Sequence, residues 1–561
     1  MEQSFIAYIE NSIKNNWDLD ALTDYKGATL QYKDVARKIE KLHIIFEESG
    51  IRKGDKIAVC GRNSSHWGVT FLATLTYGAV IVPILHEFKA DNVHNIVNHS
   101  EAKLLFVGDM VWENLNESAM PLLEGILMMN DFTLLVSRSE RLTHAREHLN
   151  EMFGKKYPKN FRREHIEYHK DEPEELAVIN YTSGTTSYSK GVMLPYRSLW
   201  SNTKFAFEVL ELEAGDKIVS MLPMGHVFGM VYDFLYGFSA GAHIYFLTRM
   251  PSPKIISQSF SEIKPRVISC VPLIVEKIIK KDILPRIDNK IGKLLLRMPI
   301  VNDKIKADMR KKAMEVFGSN FDEIIIGGAP FNAEVEAFLK KIGFPYTIAY
   351  GMTECGPIIC SSRWDTLKLA SCGKATTRME VRIDSPDPKT HAGEIVCRGA
   401  NMMLGYYKNP EATAQIIDVN GWLHTGDLGV MDEEGYVTVR GRSKNMLLTS
   451  SGQNIYPEEI ENVINGHALV SDSLVKEDMG KLVAIVHFNR EALEQKYHTV
   501  RENLGNRMEH IKKELMHYVN SKVNKFSRIS VVVEQEEGFE KTPTQKIKRF
   551  LYTKNTRHRK S

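Results

Sequence analysis

Apolar residues return every three or four positions through Tyr32–Glu48 (YKDVARKIEKLHIIFEE), a spacing that predicts an amphipathic helix. A turn at 50–55 follows, then the short apolar run Lys56–Cys60, which reads as a strand. The same order recurs: WGVTFLATLTYGA precedes VIVPIL, and SLWSNTKFAFEVLEL precedes KIVSMLP. Helices alternating with strands predict parallel-type sheets covered by helices, with ligands at the carboxyl ends of the strands. Residues 276–316 read as a Lys-rich helical stretch, a solvated helix pair rather than a nucleic-acid patch. From about 393, short strands with Gly turns (GEIVCRGANMMLGYY, EEGYVTVRGR) predict a small antiparallel β subdomain. Beyond Arg442, helical segments (PEEIENVINGH, REALEQKYHTVRENLGNRMEHIKKELMHYVNSKV) and strands (KLVAIVHF, ISVVVEQ) suffice for a small α+β domain. The predicted class is α/β, with a large N-terminal domain over 1–441 and a C-terminal domain over 442–561.

Composition narrows the partners. The chain has 561 residues, 43% hydrophobic and 25% charged, and exceeds the roughly 250–300 residues at which one core stops growing. Lys plus Arg (73) nearly balance Asp plus Glu (70), so no global field attracts nucleic acid or an anionic membrane, and nucleic acid is not an expected partner. Cys60, Cys270, Cys355, Cys360, Cys372 and Cys397 form no C-x-x-C pair, which predicts a reduced, cytoplasmic setting. The N-terminus has no apolar h-region and is expected to be retained. Tyr77–Leu85, among the most apolar stretches, is about half the ~20 residues a bilayer span needs. The basic tail after Lys546 reads as a solvated end, and weak peripheral contact with the inner face of the membrane is the one membrane role left open.

Chemistry concentrates first in Tyr181–Val192 (YTSGTTSYSKGV), read as a loop between an apolar strand (LAVIN) and a helix. The hydroxyls and backbone N–H groups of Thr182, Ser183, Gly184, Thr185 and Thr186, with the Lys190 ammonium, can surround phosphate oxygens. The rival P-loop pattern G-x-x-x-x-G-K-[ST] fails twice, because Ser189 replaces its second glycine and Gly191 its Ser/Thr.

The segment resembles the phosphate-loop signature of the adenylate-forming superfamily, which includes acyl-CoA synthetases, peptide-synthetase adenylation domains and luciferase. Seven further motifs stand in the superfamily's order: Pro223–Gly229 (PMGHVFG), Gly327–Pro330 (GGAP), Tyr350–Glu354 (YGMTE), Gly421–Asp427 (GWLHTGD), Gly441–Lys444 (GRSK), Gly452–Pro457 (GQNIYP) and Lys541–Ile547 (KTPTQKI). The resemblance implies ATP as substrate and Mg2+ as cofactor, with Thr182 and Glu354 holding the metal. It places Gly328, Ala329, Tyr350, Gly351 and Thr353 around adenine and ribose, with Tyr350 packed on the base. Asp427, read as part of a Gly-Asp turn, would bond the ribose hydroxyls with help from Arg442. Lys546 reads as a solvated charge by itself, but the resemblance makes it a catalytic residue with Lys190, delivered by a mobile C-terminal domain hinged at Lys444. Ser451, Gly452 and Asn454 would then serve the CoA step. His226 reads as a packed core histidine by itself, and by resemblance lines the acid-substrate site.

Ser187, Ser189, Gln545 and Asn445 depart from the superfamily's usual Gly, Pro, Gly and acidic residue, without removing a charged catalytic group. The segments around PMGHVFG and SCVPLIVEKI look most like long-chain fatty acyl-CoA synthetases. The implied reaction converts a fatty acid and ATP to acyl-AMP and pyrophosphate, then CoA to acyl-CoA with release of AMP. The alternatives are an aryl or other acid–CoA ligase, a carrier-protein loading enzyme, or a catalytically silent nucleotide- or lipid-binding relative. Retention of Lys190, Glu354, Asp427, Arg442 and Lys546 argues against the last.

Overall fold

Strand Val80–Ile84 is buried at every position, as its unbroken run of apolar side chains requires of a strand covered on both faces. It lies inside an eight-stranded sheet whose parallel heart is Leu176–Thr182, Val80–Ile84, Lys56–Cys60, Ala102–Val107 and Gly125–Met128. A nine-stranded sheet is parallel from Tyr346–Gly351 through Glu323–Gly327, Val267–Cys270, Lys217–Ser220 and His243–Phe246 to Asp20–Asp24. The computed structural model describes residues 3–182, 190–248, 253–283, 299–448, 454–497, 501–542 and 546–553. The α/β class expected from the alternation is the one the chain adopts.

Helix Ser65–Tyr77 is buried along almost its whole length, and a helix apolar on all sides has nowhere else to go. Ser64 caps it by accepting the Trp67 N–H at 3.1 Å. Trp67 stacks on Phe71 at 5.1 Å and meets Phe234 edge-on at 6.3 Å, so the helix joins the core beneath both large sheets.

The antiparallel unit expected from about 393 is a four-stranded sheet, Met379–Asp384, Gly393–Gly399, Leu423–Met431 and Val437–Arg442. Beyond it, Val470–Asp478, Lys481–Phe488 and Val531–Glu534 form a three-stranded sheet around its own core of Ile460, Ile464, Val486 and Leu515. Helix Pro457–Asn465 carries this unit against the rest of the chain. Asn462 Nδ2 donates to the Phe331 carbonyl at 3.0 Å, Arg440 pairs with Glu459 at 3.2 Å, and Lys522 pairs with Glu334.

Two local expectations need correction. Tyr181–Val192 does not run from strand straight into helix: Lys190–Pro195 is a second strand, antiparallel to Leu176–Thr182, and the helix starts at Tyr196. The apolar positions of KGVMLP fill a sheet edge before the helical pattern begins. Asp427 sits within the strand Leu423–Met431 rather than in a turn. Gly426, at φ +71°, lets the strand bulge there without breaking. The Lys-rich stretch expected as a helix pair does hold two separate helical segments. Helix Pro272–Ile278 passes into a wider π turn at Ile279–Ile283, and a separate helix spans Pro299–Val316, with 284–298 outside the described residues.

Replacing Trp67 by Ala should remove about 3–5 kcal/mol from this core. Urea unfolding followed by fluorescence should show a large drop in midpoint, and a parent-like midpoint would contradict the role given to the Trp67 stack.

Candidate active site

Thr182, Gly328, Ala329, Tyr350, Gly351, Thr353 and Glu354 lie at or just past the carboxyl ends of parallel strands. Leu176–Thr182 ends at Thr182, which lies opposite Lys190 across the hairpin ladder. Ser183, Gly184, Thr185 and Thr186, with Ser187 and Ser189, lie outside the described residues. The Lys190 ammonium rests 4.7 Å from the centre of the Tyr406 ring, and the Tyr406 hydroxyl donates to Glu354 Oε1 at 2.7 Å. Tyr406 reaches this position because Gly405–Tyr406 adds a short antiparallel strand to Lys190–Pro195. Glu354 follows the strand Tyr346–Gly351 in a single 3-10 turn with Thr353, and its carbonyl accepts the Met403 N–H at 2.8 Å.

Beside it, Gly328 and Ala329 lie exposed just past the end of Glu323–Gly327, next to Tyr350 and the exposed Gly351. The Tyr350 hydroxyl donates to Asp427 Oδ2 at 2.7 Å, and Arg442 Nε donates to Oδ1 at 2.7 Å. Asp427 and Arg442 are direct partners across the ladder of Leu423–Met431 and Val437–Arg442. Burial pushes the Asp427 carboxyl above the usual carboxylate range, while Arg442, Tyr350 and Lys546 pull against that rise.

His226 rides on a fastened segment. Asn63 Nδ2 donates to the Leu222 carbonyl at 2.7 Å and Asn63 Oδ1 accepts the Met224 N–H at 2.9 Å. Asn180 Nδ2 donates to the Gly225 carbonyl at 2.9 Å. Asp233 Oδ2 accepts the N–H groups of Met221 and Leu222 at 3.1 and 3.0 Å, and burial pushes its carboxyl up to about 7. Gly229 closes the segment where a Cβ would lie 2.7 Å from the Pro223 carbonyl oxygen, so no side chain fits. The His226 imidazole is lowered to about 4, first by burial and then by the positive charge of Lys546.

Lys546 thus stands over the same site. Its ammonium is held below the usual lysine range by burial and by Arg442, while Asp427 and Glu354 act in the opposite sense. Its backbone is folded back on itself: Thr542 N–H donates to the Lys546 carbonyl at 2.8 Å, Lys546 N–H donates to Thr542 Oγ1 at 3.2 Å, and Lys541 pairs with Asp472 at 2.9 Å. Gln545 is outside the described residues, as are Ser451 and Gly452. Asn454 lies exposed in a two-stranded ladder with Leu448, and Lys444 is exposed in the turn Ser443–Asn445. Asn445 Nδ2 donates to Glu458 Oε1 at 2.5 Å, so an acidic residue at 445 would set two carboxylates against each other.

Among the described residues no group of three His, Cys, Asp or Glu is arranged to hold a metal. Mg2+ is a hard cation that takes oxygen ligands. Glu354, with Thr182 on the neighbouring hairpin, offers oxygens of the right hardness. All six cysteines are buried thiols. Among the described residues, no helix is long and apolar enough to cross a membrane.

Tyr406, Asn63, Asn180 and Asp233 were not singled out in the sequence. Their partners lie tens to hundreds of positions away, or on a helix whose apolar pattern hides them, so no spacing rule marks them.

The profile of AMP-binding enzymes matches residues 9–407. This chain belongs to the AMP-binding enzyme family. The AMP-forming acid–thiol ligase expected from the motifs holds at the level of this family. A putative acyl-CoA synthetase, YngI, of Bacillus subtilis is 30% identical over 75% of this chain and 75% of its own length. Long chain acyl-CoA synthetase 3 of Arabidopsis thaliana is 27% identical over 78% of this chain and 70% of its own. Among solved structures, the anthranilate CoA ligase AuaEII in complex with anthranoyl-AMP superposes with a TM-score of 0.78 at 19% identity, over 98% of each chain. That likeness establishes the fold of this AMP-binding enzyme.

The depressed His226 pKa has a stability consequence. The unfolded imidazole takes up its proton near 6.5 and the folded one near 4, so the contribution is complete above 6.5 and is lost as pH falls towards 4. The fall in Tm between about pH 7 and about pH 5 should therefore be smaller for His226→Gln than for the parent. A fall of parental size in the variant would contradict the buried, neutral imidazole.

Proposed function

We propose that the chain is a fatty acid–CoA ligase that works through acyl-AMP. The observation that supports this reading is that the Lys546 charge acts on both Asp427 and His226, while Tyr350 and Arg442 bond the same Asp427 carboxylate. In this arrangement the hairpin loop from Thr182 to Lys190 receives the triphosphate. Tyr350 packs on adenine, flanked by Gly328, Ala329, Gly351 and Thr353. Asp427 already accepts from Tyr350 and Arg442 and keeps lone pairs for the ribose hydroxyls. Glu354 and Thr182 would hold Mg2+, which would supply positive charge to offset that of the phosphates. The fatty carboxylate attacks the α-phosphorus, the bond to pyrophosphate breaks, and Lys546 stabilises the charge on the carboxylate and α-phosphate oxygens.

The linker at Lys444 then lets the unit 442–561 rotate, taking Lys546 away and bringing the backbone at Ser451–Asn454 to the site. There the CoA thiol attacks the acyl carbonyl and AMP leaves. Such a swing is supported by polar contacts between 454–553 and the rest of the chain, at Asn462 and Glu459 on helix Pro457–Asn465 and at Lys522 beyond it. Polar interfaces of this kind favour domain motion.

The fatty-acid substrate is supported by relatives described as long-chain synthetases, including long-chain-fatty-acid–CoA ligase 5 of Rattus norvegicus, at 27% identity over 77% of this chain. His226 fits the entrance of an acid site as a neutral polar group, since a protonated imidazole would compete with Lys546 for the carboxylate.

Burial of each methylene should contribute about 0.8 kcal/mol, so kcat/KM should rise from octanoate to palmitate below the micellar concentration, measured as AMP release with CoA present. Benzoate or anthranilate outperforming palmitate would overturn the fatty-acid substrate and leave adenylation standing. Nucleotide binding without pyrophosphate release from any acid would overturn the enzyme reading.

A further inference from the structure

Tyr406 stands outside every motif singled out above, yet touches two of the charged groups in the site with two different parts of one side chain. Its ring face lies under the Lys190 ammonium at 4.7 Å, and its hydroxyl donates to Glu354 Oε1 at 2.7 Å. The ring is itself fixed. Gly405–Tyr406 pairs in register with Met193 and Val192, the Tyr406 N–H donates to Thr413 Oγ1 at 2.9 Å, and the residue is buried in the main core.

A lysine side chain has four rotatable bonds and a glutamate three, so each loses considerable freedom when it must meet a phosphate or a metal in one geometry. An aromatic face attracts an ammonium without neutralising it, leaving all three N–H donors free for oxygen ligands. A hydroxyl donated to one carboxylate oxygen fixes the carboxylate plane and leaves the second oxygen free. One rigid side chain therefore orders the cation and the anion together and holds them apart. Without it, Lys190 and Glu354 could pair directly and close the space a phosphate and its metal would occupy.

We propose that Tyr406 is a positioning residue that presets Lys190 for the phosphates through its ring and Glu354 for magnesium through its hydroxyl. This rests on the reading of Lys190 as phosphate-binding and Glu354 as metal-binding, and it predicts that the two functions of Tyr406 separate by mutation. Tyr406→Phe keeps the ring under Lys190 and removes only the hydroxyl. Tyr406→Leu removes both.

The test is calorimetric binding of ATP to the full chain, in magnesium and in EDTA, with no acid present. Tyr406→Phe should bind ATP as the parent does in EDTA and about tenfold more weakly in magnesium, the lower end of the loss typical of removing a hydrogen bond to a metal ligand. Tyr406→Leu should be weakened in both media. Thermal melts of each variant identify general unfolding. Parent-like binding by Tyr406→Phe in both media, or equal weakening of both folded variants in both media, would overturn the proposal. Lys190→Ala and Glu354→Gln separate the underlying reading: Lys190→Ala should weaken binding in EDTA, and Glu354→Gln only in magnesium. If neither does so, the assignment of the site fails, and the role of Tyr406 with it.

Discussion

Asp427 is a carboxylate 5% exposed, and burying such a charge is costly unless it is paired and hydrogen-bonded. Its two oxygens are met by Arg442 across the ladder and by Tyr350 from the neighbouring sheet. That single interaction joins the parts of the molecule. Tyr350 lies near the end of a strand of the nine-stranded sheet, Asp427 and Arg442 belong to the four-stranded sheet, and Arg442 is the last residue of its strand. Lys546, returning from that unit more than a hundred positions later, meets the charge of the same pair. Burial and then Arg442 lower its affinity for a proton, against the opposite pull of Asp427 and Glu354.

The second organising constraint is the hairpin Leu176–Pro195. Because Lys190 begins a strand rather than a helix, its side chain is set by the register of a sheet edge, and Gly405–Tyr406 can add to that edge. Orientation comes from the sheet, from the Tyr406 ring and from the Glu354 carboxylate beyond it. On the opposite side, Asn63, Asn180 and Asp233 tie down the backbone that carries His226.

Much of this was legible in the amino-acid order where a physical period governs. The helix over Tyr32–Ser49 and the strands at 56–60, 80–84 and 481–488 follow directly from apolar spacing and from uninterrupted burial. The motif series identified the chemistry because its residues are charged or hydroxylated at fixed places in the chain. What escaped depends on distant neighbours. Asp427 looked like a turn residue because Gly426 precedes it, and only the partner strands show that the glycine makes a bulge. Asn445 stands where the superfamily usually has an acidic residue, and the Glu458 carboxylate facing it makes an amide the compatible choice. Lys546 lies in a basic tail whose composition says only that it is solvated. Its proximity to Asp427 is a property of the docked unit and of no local pattern.

The central claim is that one site is completed by a lysine brought in from the C-terminal unit for the first chemical step alone. Lys546→Ala separates that step from the next when the two half-reactions are assayed independently, pyrophosphate release for adenylation and acyl-CoA formation from supplied acyl-AMP for transfer. Adenylation should fall on the order of a hundredfold or more, the scale expected for one charge-stabilising contact in a transition state, with transfer close to the parental rate. An equal loss in both half-reactions would contradict the account.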